Sequence, residues 1–221
     1  MVRRKWFDMG FLTFGLLVQV VTYAITLRLS PSSISLLSLI SGCFGVCSVC
    51  LASQGKILTF FFGFAQVATY TYLCVTQRFY GEIAINAYYF ATMIYGVFEW
   101  KKRLKGEASD EMTVTPRSLS VRTIVVMAVA TLVGSGLVGW GLAAWTDDTQ
   151  PYLDAFTTIP ALVAQVLMIL VYREHWFLWL AVDILSVALW LRAGDYCMVA
   201  QYTFWCANCL YGLRRWKSLT P

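Results

Sequence analysis

Charged residues are scarce in this chain, and long apolar runs take their place. Only 13% of the 221 residues are charged, 59% are hydrophobic, and the mean hydropathy is +0.65. These values exclude an ordinary soluble globular domain. Because one helix needs about 20 apolar residues to cross roughly 30 Å of hydrocarbon, the chain has room for seven or eight spans. We therefore predict an all-α integral membrane protein with about eight transmembrane helices.

The residue combinations that several functional classes require are also missing. The sequence contains no HExxH motif, no paired intramembrane aspartates, no Ser/His arrangement and no phosphate-binding loop of the Walker type. The last apolar segment has no deep lysine that could hold retinal, since Lys217 is at its very end. We expect a protein that is not an enzyme and that carries no cofactor.

Seven cysteines lie in apolar segments, where a thiol behaves as a small hydrophobic group and no disulfide framework is expected. Cys47/Cys50 and Cys206/Cys209 have CxxC spacing, which on a helix brings both sulfurs to one face and could bind a soft metal. The sole histidine, His175, lies in a short charged loop. We interpret it as a surface residue and expect no metal site.

Charges, prolines, glycines and serines divide the chain into eight apolar segments. Pro31 and Pro116 suit helix starts, because the first helical turn does not use the missing N–H. The predicted helices are 6–29, 32–54, 57–77, 81–101, 118–145, 152–172, 175–192 and 195–214.

The distribution of Lys and Arg predicts the orientation. Fourteen of them fall on the side that holds both termini, and only Arg28, Arg78 and Arg192 fall on the other. By the positive-inside rule, both termini are cytoplasmic in a multi-pass protein of the bacterial inner membrane. The net charge of +5 then reflects membrane insertion and not a surface for nucleic acid.

An internal repeat organises the sequence. The string YGxxxW ends the predicted fourth helix at Trp100 and recurs at Trp216, a shift of 116 residues, and the same shift brings Phe60 onto Trp176. We infer two copies of a three-helix unit. An odd number of crossings needs one more helix between parallel copies, as in SWEET-type carriers. The predicted parts are an extra N-terminal helix (1–31), a first three-helix bundle (32–104), a cytoplasmic loop with a linker helix (105–147) and a second bundle (148–221).

The predicted fifth helix carries Ser135, Gly139 and Ala143 at four-residue steps. Such a small-residue ridge lets another helix approach closely. A flexible gate is the alternative, but packing is favoured.

Asp183 is the central candidate for function. It lies about eight residues into the seventh helix, at a depth of roughly 12 Å. An ionisable group there costs at least about 2.5–3.5 kcal/mol, so it should face the protein interior and contact a substrate, act in gating or hydrogen-bond a neighbouring helix. Trp176 and Trp179 share its helical stripe and could form a cation-binding box with it, although Trp176 is also placed to anchor at the membrane interface.

Further polar and aromatic residues fall at mid-depth in other helices. Each one could serve either as interhelical hydrogen-bonding glue or as a ligand contact. Their joint placement favours a polar central cavity. No Lys or Arg lies deep in a predicted helix, so a flat, cationic or neutral ring with hydroxyls suits the cavity better than a phosphate. These residues are Gln66, Tyr70, Asn86, Tyr89, Gln201, Trp205 and Asn208.

Four stretches resemble the PnuC family of nicotinamide riboside transporters. FFFGFAQ (60–66) resembles the family segment WPLGIxN, with Phe60 and Gln66 as departures from it. REHWFLWLAVD (173–183) resembles the WxxW helix with its following aspartate. The other two stretches are FYGEIAINAYYFATMIYGVFEW (79–100) and YLDAF (152–156).

The resemblance implies a 3+1+3 helical carrier that lets nicotinamide riboside enter the cytoplasm by facilitated diffusion. Transport would be uniport by alternating access, followed by trapping through phosphorylation. Thiamine and riboflavin remain alternative substrates, a binding-only membrane subunit or sensor remains an alternative function, and proton coupling through Asp183 stays open. We also expect a homo-oligomer in the lipid bilayer.

Overall fold

The described residues form eight α-helices in a computed structural model of the protein. The structure describes residues 2–29, 36–77, 80–104, 113–147, 150–193 and 196–219. Within those residues, β-structure is limited to isolated bridges. The helices are α1 (Val2–Leu29), α2 (Leu36–Ser53), α3 (Thr59–Gln77), α4 (Tyr80–Arg103), α5 (Val121–Trp145), α6 (Pro151–Ile169), α7 (His175–Ala193) and α8 (Tyr196–Leu219).

The helices have the lengths that a bilayer requires. Four of them, α1, α2, α5 and α6, are long and apolar enough to be candidate membrane spans, and α7 contains the shorter apolar stretch His175–Leu189. The helices α3, α4 and α8 run for 19–24 residues, and at 1.5 Å per residue this is about the thickness of the hydrocarbon. The predicted all-α membrane architecture with eight helices is confirmed.

Of the two prolines predicted at helix starts, the one that the structure describes does not begin a helix. Pro116 was expected to begin a helix, but α5 begins at Val121. Ser120 caps it, because its side chain accepts a hydrogen bond from the Thr123 N–H at 3.2 Å. Pro151 is the first residue of α6. Pro31 lies outside the described residues.

Two compact units make up the chain, residues 1–115 and 116–221. In the first unit α1 packs on α2, α2 on α3 and α3 on α4. In the second unit α5 packs on α6, α6 on α7 and α7 on α8. The predicted linker helix therefore lies against the helix that follows it.

The shift of 116 residues relates the helix bounds of the two units. Added to Thr59–Gln77 it gives the bounds of α7, and added to Tyr80–Arg103 it gives those of α8. The helices α1 and α2 coincide with α5 and α6 to within a few residues. The repeat found in the sequence over three helices thus extends to a fourth.

Aromatic pairs at equivalent positions join the last two helices of each unit. Phe60 and Trp100 meet edge to face, with ring centroids 5.1 Å apart and planes at 84°. Trp176 and Trp216 do the same at 5.9 Å and 83°. Such edge-to-face contacts are worth about 0.5–1.5 kcal/mol beyond the area that they bury. The same physical contact therefore fastens both repeats.

The turns before α3 and α7 share a backbone conformation. Gly55 has φ 73° and Val171, at the equivalent position, has φ 62°. Each carbonyl accepts one backbone hydrogen bond within its unit, from Val114 at 2.9 Å and from Arg117 at 2.8 Å. A β-branched residue with positive φ is unusual, and Val171 holds it with a side chain that is fully buried.

The small-residue ridge of α5 packs on α6. A Cβ added to Gly139 would lie 2.6 Å from the ring of Tyr152, and Ser135 is fully buried. Ala143 is exposed, so the ridge is shorter than predicted. The packing interpretation is confirmed for its first two residues.

Gly55→Ala should destabilise the protein by about 1–2 kcal/mol, because a Cβ disfavours the left-handed backbone that the turn needs. Gly10→Ala is the matched control, since a Cβ there meets nothing within 4 Å. Thermal unfolding of the purified protein in detergent should give a lower midpoint for Gly55→Ala alone. Equal midpoints for the two variants would contradict the assigned backbone conformation.

Candidate functional site

Asp183 lies where its depth was predicted, in the middle of α7. It is eight residues from the start of the helix and ten from its end, so it sits roughly 12 Å from the nearer end. Its side chain is 4% exposed. Trp179, one turn earlier on the same face, is half-buried.

The facing helix α8 brings further polar groups to the second unit. Asn208 is 2% exposed, while Gln201 and Trp205 are half-buried. The Trp205 ring packs edge to face on Tyr202 with centroids 4.9 Å apart. Its indole N–H is buried and has no hydrogen-bond partner among the described residues. An unsatisfied donor of this kind is costly in an apolar medium unless a ligand or water accepts from it.

A direct hydrogen bond joins the polar faces of α7 and α8. The thiol of Cys209 donates to Oδ2 of Asp183 at 3.3 Å, and both residues are buried. None of the described Lys, Arg or His side chains forms an ion pair with Asp183. The carboxylate therefore has one weak neutral donor and no cationic partner within the described part of the chain.

Trp176, by contrast, is surrounded by its own unit. It is 3% exposed, and a Cβ added to Gly212 of α8 would lie only 2.5 Å from its ring. Trp216 covers one edge of the ring, and His175 lies against it with centroids 4.4 Å apart. Little of this ring is left for a ligand, so we assign it to helix packing.

His175 is not a surface residue, and its predicted exposure was wrong. It begins α7, is fully buried and packs edge to face on Trp216 at 4.6 Å. Its Nδ1 is 2.7 Å from the carbonyl oxygen of Tyr172. The neighbouring charges suggested a solvated loop, but the turn folds inward and buries Glu174 as well, with Arg173 paired to it at 3.2 Å.

The first unit holds the remaining predicted residues. The amide of Gln66 rests on Gly45 of α2, where an added Cβ would lie 3.1 Å from its Nε2. Asn86 is 5% exposed and Tyr89 is half-buried. Tyr70 is 38% exposed, which makes it the most accessible of the ten candidates.

Two buried residues escaped the sequence reasoning. Ser186 is one turn beyond Asp183 on the same helix face and is 6% exposed. Cys209 directly follows Asn208 in α8. The three-residue spacing from Asp183 could have revealed Ser186, whereas cysteines in apolar segments were interpreted as hydrophobic residues, which concealed Cys209.

Residues 35–218 match the family model described as Nicotinamide mononucleotide transporter. This match spans α2 to α8 and includes every candidate residue. The chain belongs to that family. The predicted resemblance to PnuC is confirmed. The family members that match are transporters, so the prediction that the protein is not an enzyme is confirmed as well.

Relatives of the same family match over most of the chain. The Haemophilus influenzae nicotinamide riboside transporter PnuC is 35% identical over 219 residues, covering 97% of this chain and 91% of the relative. The Neisseria mucosa PnuC is 31% identical over 183 residues, covering 79% and 69%. A crystal structure of the vitamin B3 transporter PnuC superimposes with a TM-score of 0.78 at 30% identity, covering 96% of this chain and 91% of that one.

Gly212→Ala should destabilise the protein by about 1–3 kcal/mol, because the added methyl overlaps a fully packed indole. Gly136→Ala is the matched control in α5, where a Cβ meets nothing within 4 Å. Both changes gain the same helix propensity, about 1 kcal/mol, so the difference between their unfolding midpoints isolates the contact with Trp176. A midpoint for Gly212→Ala equal to that of Gly136→Ala would show that the ring is free to move and is available to a ligand.

Proposed function

We propose that this chain is a carrier for nicotinamide riboside that works by facilitated diffusion. The observation that carries the proposal is the buried Asp183 carboxylate, which has no cationic partner among the described residues. In a bilayer such a charge needs a counter-charge, a proton or access to water. A substrate with a delocalised positive charge supplies the first of these.

The aromatic neighbours favour a flat cation. Trp179 is on the stripe of Asp183, and Trp205 is on the facing helix with an indole N–H that has no partner in the part of the chain that the structure describes. An indole face attracts a cation by up to about 2 kcal/mol or more when both are desolvated. The pyridinium of nicotinamide riboside combines this charge with a flat ring and ribose hydroxyls, which suit the indole donor and the amide of Asn208.

The charges of the helices favour the riboside over its phosphorylated form. The family model carries the name of the mononucleotide, but the relatives carry that of the riboside. Every described Lys and Arg lies in a turn or within about five residues of a helix end. A phosphate in mid-membrane would find no basic group there, and Asp183 would repel it.

The site proposed here is built from residues of the second unit. For the first unit, substrate contacts by the amides of Gln66 and Asn86 and the rings of Tyr70 and Tyr89 stay a prediction from the sequence. The amide of Gln66 packs on Gly45 of α2 within that unit. Gln201 of α8 is a further polar contact.

We also propose the orientation and the location. Arg28 and Arg192 lie at the ends of α1 and α7, on the other side. Most of the remaining described basic residues cluster at the turn before α3, at the end of α4, around the start of α5 and at the end of α8. These all fall on the side that holds both termini, which by the positive-inside rule is the cytoplasmic face of a bacterial inner membrane. Association into a homo-oligomer stays a prediction.

Trp179→Ala and Asp183→Asn should each weaken nicotinamide riboside binding by about 10–100-fold, since a desolvated cation loses an aromatic face or a counter-charge. Trp140→Ala is the control, because this tryptophan of α5 is 56% exposed. Calorimetric titration of pure protein measures the affinities, with the mononucleotide, thiamine and riboflavin as competing ligands. Unchanged affinity in Trp179→Ala would contradict the stacking role, and tighter binding of thiamine would change the substrate.

Purified protein in liposomes should equilibrate labelled nicotinamide riboside without ATP, partner protein or ion gradient. We expect this because a uniporter opens its binding site alternately to the two sides of the membrane and needs no other source of energy. In the cell, phosphorylation in the cytoplasm would then remove the free riboside. An imposed pH gradient should leave the final internal concentration unchanged. Accumulation driven by the gradient would instead indicate proton coupling through Asp183. Binding without any uptake would favour the second candidate, a membrane sensor or binding subunit.

A further inference from the structure

The thiol of Cys209 in α8 forms a hydrogen bond with a buried carboxylate on α7. It donates to Oδ2 of Asp183 at 3.3 Å, from a side chain that is 3% exposed to one that is 4% exposed. Within the described residues it is the one hydrogen-bond donor to that carboxylate. Its position on the neighbouring helix fixes one oxygen of Asp183, and the other oxygen has no hydrogen-bond partner among the described residues.

The repeat shows that the fold does not require this polar pair. Shifting back by 116 residues brings Asp183 onto Val67 and Cys209 onto Met93, at the corresponding places of α3 and α4. Val67 and Met93 are both apolar and buried, at 8% and 7% exposure. The equivalent helices of the first unit therefore pack at this level with apolar side chains, whereas the second unit has an acid together with its donor.

The sizes of the facing side chains at this level also differ between the two units. In the first unit Met93 fills the space over Gly63, where an added Cβ would lie 3.0 Å from its sulfur. The second unit has Trp179 at the position of Gly63 and Cys209 at that of Met93. The larger side chain of the pair is therefore on α4 in the first unit and on α7, the helix that carries Asp183, in the second. The residue opposite is smaller, and cysteine, unlike glycine or alanine, has a hydrogen-bond donor.

We propose that Cys209 is a positioning residue that aims the Asp183 carboxylate at the positive ring of the substrate, a role that rests on the proposed function. A thiol is a weak and uncharged donor, so it orients the carboxylate without neutralising it. An arginine or lysine at this place would hold the acid more tightly and consume the charge that the ligand needs. The thiol leaves Asp183 both oriented and free to pair.

The test separates orientation of a charge from general packing by using two ligands of one shape. Nicotinamide riboside carries a pyridinium, and its dihydro form carries the same sugar and carboxamide on an uncharged ring. Cys209→Ala should weaken binding of the cation by about 3–10-fold and that of the neutral form by less than about twofold, which matches the usual range for one net hydrogen bond. Cys209→Ser restores an O–H donor and should return the cation affinity to within about twofold of the parent. Cys50→Ala is the control, since this buried thiol of α2 donates to no carboxylate among the described residues.

The outcomes distinguish the two proposals. Equal losses for both ligands in Cys209→Ala, or no rescue by Cys209→Ser, would leave the thiol a packing residue only and overturn the positioning role. If Cys209→Ala binds the cation as tightly as the parent while Asp183→Asn is still impaired, the positioning role is overturned and the proposed function stands. A parent protein that binds neither ligand overturns the proposed function, and the positioning role with it. Should Cys209→Ala fail to give monodisperse protein, Cys209→Val removes the donor without leaving a cavity and takes its place.

Discussion

In hydrocarbon, a polar group must find its partner inside the protein. That constraint makes every described span an α-helix, because only a helix satisfies its own backbone. It also decides where polar side chains can lie. Asp183 is accepted in mid-helix because it is buried against α8 and receives the Cys209 thiol. The site follows from the same rule, since this thiol satisfies only part of the bonding capacity of a carboxylate.

The two repeats share one aromatic packing contact but differ in the side chains deeper along the same helices. Phe60 with Trp100, and Trp176 with Trp216, lock the last two helices of each unit by the same edge-to-face contact. Trp176 thus belongs to the common scaffold. Deeper along the same helices the repeats diverge, as Gly63 is replaced by Trp179 and Val67 by Asp183. Residues that match across the shift hold the fold, and residues that differ are the ones free to carry a function.

Sequence reasoning succeeded where the signal was periodic. Helix number, the shift of 116 residues and the depth of Asp183 all follow from apolar run length and residue counting, which the bilayer enforces. It failed for His175 and Pro116, because the burial of a turn and the choice of a cap depend on neighbours that the local pattern does not name. Cys209 was missed for the same reason, since only the partner on α7 distinguishes it from the other cysteines.

A carrier that works by diffusion must release its cargo as readily as it binds it. A carboxylate that is already neutralised by Arg or Lys would bind a cationic substrate weakly. A site with several free carboxylates would release the cation slowly. One carboxylate with one weak neutral donor, beside the half-buried Trp179, lies between these extremes. Under the proposed function, the same balance disfavours a phosphorylated substrate, because its negative charge would meet Asp183 without any basic group at that depth among the described residues. In that proposal, one weakly held charge serves both the selection and the release of the substrate.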